Sequence, residues 1–208
     1  MVKRKGGRGV ALDAKAREQR ILLTAARLFR EQGFAGTGLR QIASEAGVLL
    51  GSVHYRFPTK ESLLVALMER AIDHAMAAVR NAVEQTTDPV DRIRVGLGAH
   101  LRTLLSGDDA VYVLLYDWRV LKGDARDAMI RLRDRYEAFW DGIVYTAAGA
   151  GQLRAGLDLR LLRLFGFGAI NWVATWYRPD NPMTAEDIVD VFFTTITFGI
   201  LSENAHTQ

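Results

Sequence analysis

Apolar positions in this chain recur at three- and four-residue intervals almost from end to end, and nowhere do they alternate. Ile21, Ala25, Leu28 and Phe29 fall at i, i+4, i+7 and i+8, one face of a helix running from Asp13 to a stop at Gly33. A short second helix carries Leu39, Ile42, Ala43 and Ala46, and Gly47 stands where that helix must end and turn sharply. A third short helix, about Leu50 to Phe57, follows at once. Pro58 breaks the chain, and Thr59 is placed to cap a long helix from Lys60 to about Gln85, with Leu64, Leu67, Ala71, Ala75, Ala78 and Ala82 as its inward stripe. Asp88 to Leu105, Asp109 to Leu121 and Asp124 to Ala150 read as three more. Asp158 caps a helix that reaches Tyr177, and Thr184, with Asp187 three residues on in the capping-box position, opens the last. The pattern predicts an all-α fold of nine helices.

The stretch from Gly33 to Leu63 carries the most information. Two short helices joined at a glycine, with a polar, aromatic second helix, read as a helix-turn-helix. That second helix exposes Ser52, His54, Tyr55 and Arg56: hydroxyl, imidazole, phenol and guanidinium groups suited to phosphate oxygens and base edges.

Charge sharpens this reading. The net formal charge of +3 hides an asymmetry, because residues 1–60 hold 12 Lys/Arg against 4 Asp/Glu while the rest of the chain is acidic. A basic domain containing a helix-turn-helix is the footprint of a polyanion binder. Ahead of it, Lys3, Arg4, Lys5 and Arg8 lie among glycines in a flexible arm over residues 1–12. The arm reads either as a tail for the minor groove or phosphates, or as a plain disordered start.

The same stretch resembles the DNA-binding signature of TetR-family transcriptional repressors. The residues that carry the resemblance are Thr37, Ile42-Ala43, Ala46-Gly47-Val48, Gly51-Ser52-Val53, Phe57 and Lys60-Glu61 with Leu63. Three positions depart from the family pattern. Gly38 stands where Thr or Ser is usual, Leu49 where a capping Ser is usual, and His54 where Tyr is usual. The resemblance implies a three-helix DNA-binding domain over 13–59 and a six-helix ligand-binding and dimerisation domain over 60–208, with the helix from Lys60 joining the two. It implies Thr37, Arg40, Leu50, Ser52, His54, Tyr55, Arg56 and Lys60 as DNA-contacting residues on a double-stranded operator.

The last two helices have little polar surface beyond Arg160 and Arg163. Helices apolar all round must be buried, either in a monomer core or against a symmetric partner. The resemblance implies the second, a homodimer through a four-helix bundle, with Phe165, Val189, Phe192 and Ile196 at the interface. Aromatic residues crowd the C-terminal half, and they read as tight core or as the lining of an apolar cavity. Asn171-Trp172, Trp176-Tyr177-Arg178-Pro179 and Pro182-Met183-Thr184, with the Leu-Leu-Gly-Ser run at 49–52, resemble the TetR subgroup that represses fatty-acid and sterol catabolism and answers to acyl-coenzyme A thioesters. This implies a small apolar effector, with Leu104, Tyr112, Tyr116, Phe139 and Trp172 around its chain and Arg119 or Arg178 at its phosphates. Arg178 reads equally as a partner for carbonyls at a helix C-terminus.

Other chemistry finds little footing. Cysteine is absent, and His54, His74, His100 and His206 are scattered with no metal-binding spacing, so no cofactor or metal is expected. His100 reads as helix surface or as a satisfied interior group. The longest uncharged run, Leu164 to Tyr177, has 14 residues, too few to span a bilayer, and no signal peptide opens the chain. The expectation is a cytoplasmic, ligand-responsive repressor and not an enzyme. The alternatives are an architectural DNA-binding protein without ligand control and an all-α enzyme.

Overall fold

The structure is a computed structural model that describes the backbone of residues 6–198 except 179 and 181, with side chains from residue 13 on. Lys3, Arg4, Lys5, Pro179, Ile200 and His206 therefore lie outside the described residues, as does the side chain of Arg8. Among the described residues there are nine α-helices and no strand: α1 Gly6–Gly36, α2 Leu39–Glu45, α3 Leu50–Arg56, α4 Lys60–Val83, α5 Pro89–Leu104, α6 Asp109–Tyr116, α7 Gly123–Gly149, α8 Leu159–Trp176 and α9 Ala185–Phe198. No helix among them is long and apolar enough to cross a membrane.

Helix ends follow the capping residues. The Asp88 carboxylate accepts from the Asp91 amide at the start of α5, and Asp158 accepts from Leu161 at the start of α8. At α9 the box closes both ways: the Asp187 amide donates to Thr184 Oγ1 at 3.1 Å, and the Thr184 amide donates to Asp187 Oδ2 at 2.8 Å. Thr59 and Ser62 make the same reciprocal pair ahead of α4, at 3.0 and 3.1 Å.

Three elements differ from expectation. Helix α1 begins at Gly6 rather than Asp13, which shortens the expected arm. Glycines disfavour a helix, but adding turns to one already formed needs no new nucleus. Helix α6 stops at Tyr116, and a 3-10 turn over Trp118–Val120 takes its last residues. Asp117 ends it, and a carboxylate sits badly at the negative end of a helix. Arg163, expected on the polar face of α8, is buried, with Nη1 2.9 Å from Glu137 and Nε 2.7 Å from Asp141. The apolar stripe of α8 turns inward beside it and takes the arginine with it, and the two carboxylates make that burial tolerable.

The chain forms two compact units. One holds Met1–Asp73 and Gly107–Asp134, the other His74–Ser106 and Arg135–Gln208. The division falls within α4 and α7, so α6 and the first part of α4 belong with the three N-terminal helices. The first unit packs Ile21, Ala25, Leu28 and Phe29 of α1 with Ile42, Val53, Phe57, Leu63 and Leu67, and α6 lies along α1. The second centres on Val79, Leu97, Leu101, Trp140, Ile143, Ile170, Val173, Ile188 and Val189. There α5 packs so closely that a methyl on Gly96 would meet the Trp140 ring at 3.0 Å.

Gly33 breaks α1 with φ 74° and ψ 161°, a backbone state open essentially to glycine alone. A Cβ there would meet nothing within 4 Å, so only the backbone objects. Gly33→Ala should lower unfolding stability in urea by ~1–3 kcal/mol. Gly142→Ala, in mid-α7 with equally open space and an ordinary φ, should be neutral or stabilise by ~0.4–1 kcal/mol. Equal effects at the two sites would show that the break at Gly33 holds no strain.

Candidate nucleic-acid interface and a polar cluster in the second unit

The turn between α2 and α3 is built by backbone bonds. Val48 N–H donates to Ala43 O at 3.0 Å and Gly47 N–H to Ser44 O at 3.2 Å, the two bonds of a Schellman ending, with Gly47 at φ 65°. Helix α3 is then held by two apolar residues one turn apart, Val53 and Phe57, both buried. The residues between them point the other way. Tyr55 is 91% exposed, His54 and Arg56 are exposed, and Ser52 is half-buried. Arg40 on α2 is exposed and Leu50 half-buried. The Arg56 guanidinium is 2.8 Å from the Glu18 carboxylate; Arg56 is exposed and Glu18 half-buried, so this ion pair contributes little and a phosphate could replace that partner.

Two expected DNA contacts are used inside the protein. Thr37 is buried, its hydroxyl within hydrogen-bond distance of Leu28 O at 3.2 Å and Gly33 O at 3.0 Å. It ties the end of α1 to the start of α2, and no surface of it is left for a ligand. Lys60 donates to Phe34 O at 2.6 Å and Thr37 O at 2.9 Å, with its ammonium 4.3 Å from the Phe34 ring centre. The carbonyls that hold these two side chains lie on either side of the Gly33 break. Neither short helix has a side-chain cap, as the residues at Gly38 and Leu49 foretell.

The expected effector residues divide between the units. Tyr112 and Tyr116, with ring centres 4.7 Å apart, and Arg119, over the Trp118 indole at 5.0 Å, are in the first. Leu104 and Phe139 are in the second, packed on its core, while Trp172 there is 64% exposed and Arg178 is exposed. Of these seven, Leu104 and Phe139 share one apolar cluster. Among the expected interface residues, Phe165 is 72% exposed and Ile196 exposed, whereas Phe192 is half-buried against α8 and Val189 is buried in the subunit core. Val189 lies on the inward side of α9, so it is removed from the expected interface.

Beside Phe139 lies a group that spacing did not reveal. His100 of α5, Tyr136 of α7 and Asn171 of α8 form a chain of hydrogen bonds, Nδ1 to the Tyr136 hydroxyl at 2.7 Å and Nε2 to Asn171 Oδ1 at 2.9 Å. With the amide so placed, the hydroxyl donates to Nδ1 and Nε2–H donates to the amide oxygen. Tyr136, Phe167 and Trp140 surround the imidazole, with ring centres 5.7, 5.3 and 6.2 Å away. His100 is thus the satisfied interior group of the two readings. Burial lowers its pKa to about 4, against which the Asn171 bond works, and burial pushes the Tyr136 phenol well above its ordinary range.

Comparison with known proteins gives two family matches along the chain. Residues 21–67 match the family described as bacterial regulatory proteins, tetR family, and residues 86–200 match the tetracyclin repressor-like C-terminal domain. The HTH-type transcriptional repressor KstR2 of Mycobacterium tuberculosis is 28% identical over 196 residues, 93% of this chain and 98% of that protein. The crystal structure of the superantigen PfiT is 32% identical with a TM-score of 0.77, over 86% of this chain and 95% of that one. That of AibR in complex with isovaleryl coenzyme A and operator DNA is 26% identical with a TM-score of 0.74, over 86% and 97%.

The buried imidazole makes stability depend on pH with a definite sign. Its folded pKa, about 4, lies below the ordinary 6.5, so below 6.5 the unfolded chain takes up a proton that the folded one refuses. Stability should be unaffected by this group above about pH 6.5 and fall progressively from there toward pH 4. Urea midpoints at pH 7.5 and 5 should differ more for the native chain than for His100→Asn; equal differences would remove the imidazole as the cause.

Proposed function

The chain belongs to the tetR family of bacterial regulatory proteins, and from that premise we propose that it is a homodimeric transcriptional repressor released from its operator by an acyl-coenzyme A thioester. The observation that carries the DNA half is the outward face of α3, with Tyr55 almost wholly exposed between the buried anchors Val53 and Phe57. Helix α3 enters the major groove. Tyr55, His54 and Leu50 meet base edges there, and Ser52, Arg56 and Arg40 meet phosphates and the groove wall. Residues 13–59 serve as the reader and 60–208 as the effector and dimer domain.

The dimer half rests on apolar surface that has no cover within the subunit. Phe165, Leu161, Trp172 and Trp176 of α8, with Val191, Ile196 and Phe198 of α9, are exposed. Two copies of such a face are self-complementary about a twofold axis. The effector half is supported by the likeness to AibR, whose structure holds isovaleryl coenzyme A and operator DNA. Within this chain, half-buried Leu104, Phe139, Tyr136 and Phe167 supply apolar surface beside the polar His100 and Asn171.

Release needs differential binding. Moving an equilibrium from 1:99 to 99:1 takes a preference of ~5.5 kcal/mol, and each buried CH₂ contributes ~0.8 kcal/mol, so roughly seven methylenes buried in the released state alone would supply it, and a shorter acyl group needs the coenzyme A moiety to supply the rest. Titrating the operator complex with acyl-coenzyme A of increasing chain length should give release that strengthens by about four-fold per methylene until the site is full. If no chain length releases DNA or raises the melting temperature, the thioester is the wrong effector.

Tyr55→Ala should weaken operator binding at fixed salt while leaving the circular dichroism melt unchanged. Native binding should fall steeply with salt, as counterion release demands. Phe165→Asp places a charge on a surface that only a partner would bury. It should sediment as a folded monomer with much weaker operator affinity. A dimer of native affinity from that variant would move the interface elsewhere.

A further inference from the structure

We infer that the polar chain of the second unit reads an uncharged carbonyl oxygen on the effector, through the N–H groups of Asn171 and Trp140. This rests on the acyl-thioester reading above, and it goes further by naming the effector atom recognised and the residues that recognise it. The two bonds of the chain, Tyr136 O–H to His100 Nδ1 and His100 Nε2–H to Asn171 Oδ1, occupy both ring nitrogens and leave donors over. Among the described residues none accepts from the Asn171 carboxamide N–H groups. Trp140 adds another donor. The residue is 2% exposed, and its Nε1 is buried without a hydrogen-bond partner among the described residues. That N–H faces the Tyr136 hydroxyl, outside the geometry of a hydrogen bond.

The indole is not free to turn and shed this deficit. Its benzo edge lies so close to Gly96 that a methyl there would meet it at 3.0 Å. The ring packs edge-on against His100 and Phe167, with centres 6.2 and 5.3 Å away. Buried N–H groups are nearly always paired, because one left without an acceptor is costly. What pairs with these must be an acceptor, and an uncharged one. The imidazole is neutral near pH 7, since burial lowers its pKa to about 4. Of the nearby cations, Arg163 is held by Glu137 and Asp141, and Arg80 is exposed, over the Phe139 ring at 5.7 Å. A carboxylate or phosphate among Leu104, Phe139 and Phe167 would lose its water with no cation in exchange, whereas a carbonyl loses less and gains the waiting donors. Tyr136, Phe139, Phe167 and Asn171 are half-buried, so the cluster is screened from water yet reachable. In an acyl thioester the carbonyl oxygen is an uncharged acceptor set directly on the apolar chain.

The experiment uses the full-length protein and isothermal titration calorimetry. Octanoyl-coenzyme A is compared with its thioether, S-octyl-coenzyme A, which has CH₂ in place of the carbonyl. The native chain should bind the thioester about ten-fold more tightly, equivalent to ~1.4 kcal/mol. Asn171→Asp keeps an oxygen for His100 and removes the N–H donors, and Trp140→Phe keeps an aromatic ring and removes the indole N–H. In each the preference should fall below about three-fold while the thioether binds as it does to the native chain. A variant that loses the thioether as well has lost the apolar site, and the native comparison and the other variant then decide. Equal affinity of the native chain for both ligands, or an undiminished preference in both variants, overturns the carbonyl contact and leaves the thioester as effector. If the native chain binds neither ligand, the acyl-thioester reading falls, and this contact with it.

Discussion

One constraint organises the surface proposed to read DNA: Val53 and Phe57, a single helical turn apart, are both buried in the first unit. A helix of seven residues has too few internal hydrogen bonds to be stable alone, so its existence and its rotation depend on these two anchors. The rotation then decides the chemistry. With positions 53 and 57 inward, position 55 faces water whatever residue it holds. The glycine turn at Gly47 completes the arrangement, because its two backbone bonds set the angle at which α3 leaves α2.

The second unit is held in a different way. Its centre is apolar, but His100, Tyr136 and Asn171 thread a polar chain across α5, α7 and α8. Each group satisfies its neighbour, so the chain adds direction to a core that area burial alone would leave slippery. Arg163 with Glu137 and Asp141 does the same between α7 and α8. Two such networks specify how the helices of this unit sit against one another.

The helices were legible because periodicity and caps are local. Asp88, Asp158, Thr184 with Asp187, and Thr59 each mark a helix start in the sequence, and each makes the expected bond. The exposed face of α3 was legible for the same reason, since an apolar residue every fourth position fixes what lies between. What the sequence withheld depends on contacts between distant helices. Tyr136 and Asn171 are 36 and 71 residues from His100, and no spacing rule pairs them. Thr37 and Lys60 matched a DNA-binding motif, yet carbonyls on either side of the Gly33 break hold them. Val189 looked like interface because α9 is apolar on both sides, and a stripe does not say which side turns inward.

The links around Lys60 have a mechanical consequence. Helix α3 ends with Phe57 buried, and α4 begins with the Lys60 ammonium fastened to Phe34 O and Thr37 O. Between them stand Pro58, whose ring fixes its own φ, and Thr59, locked in reciprocal bonds with Ser62. These bonds leave few free torsions between α3 and the first turn of α4. In the reading proposed above, a shift of that first turn would be passed to α3 rather than absorbed at residues 58 and 59.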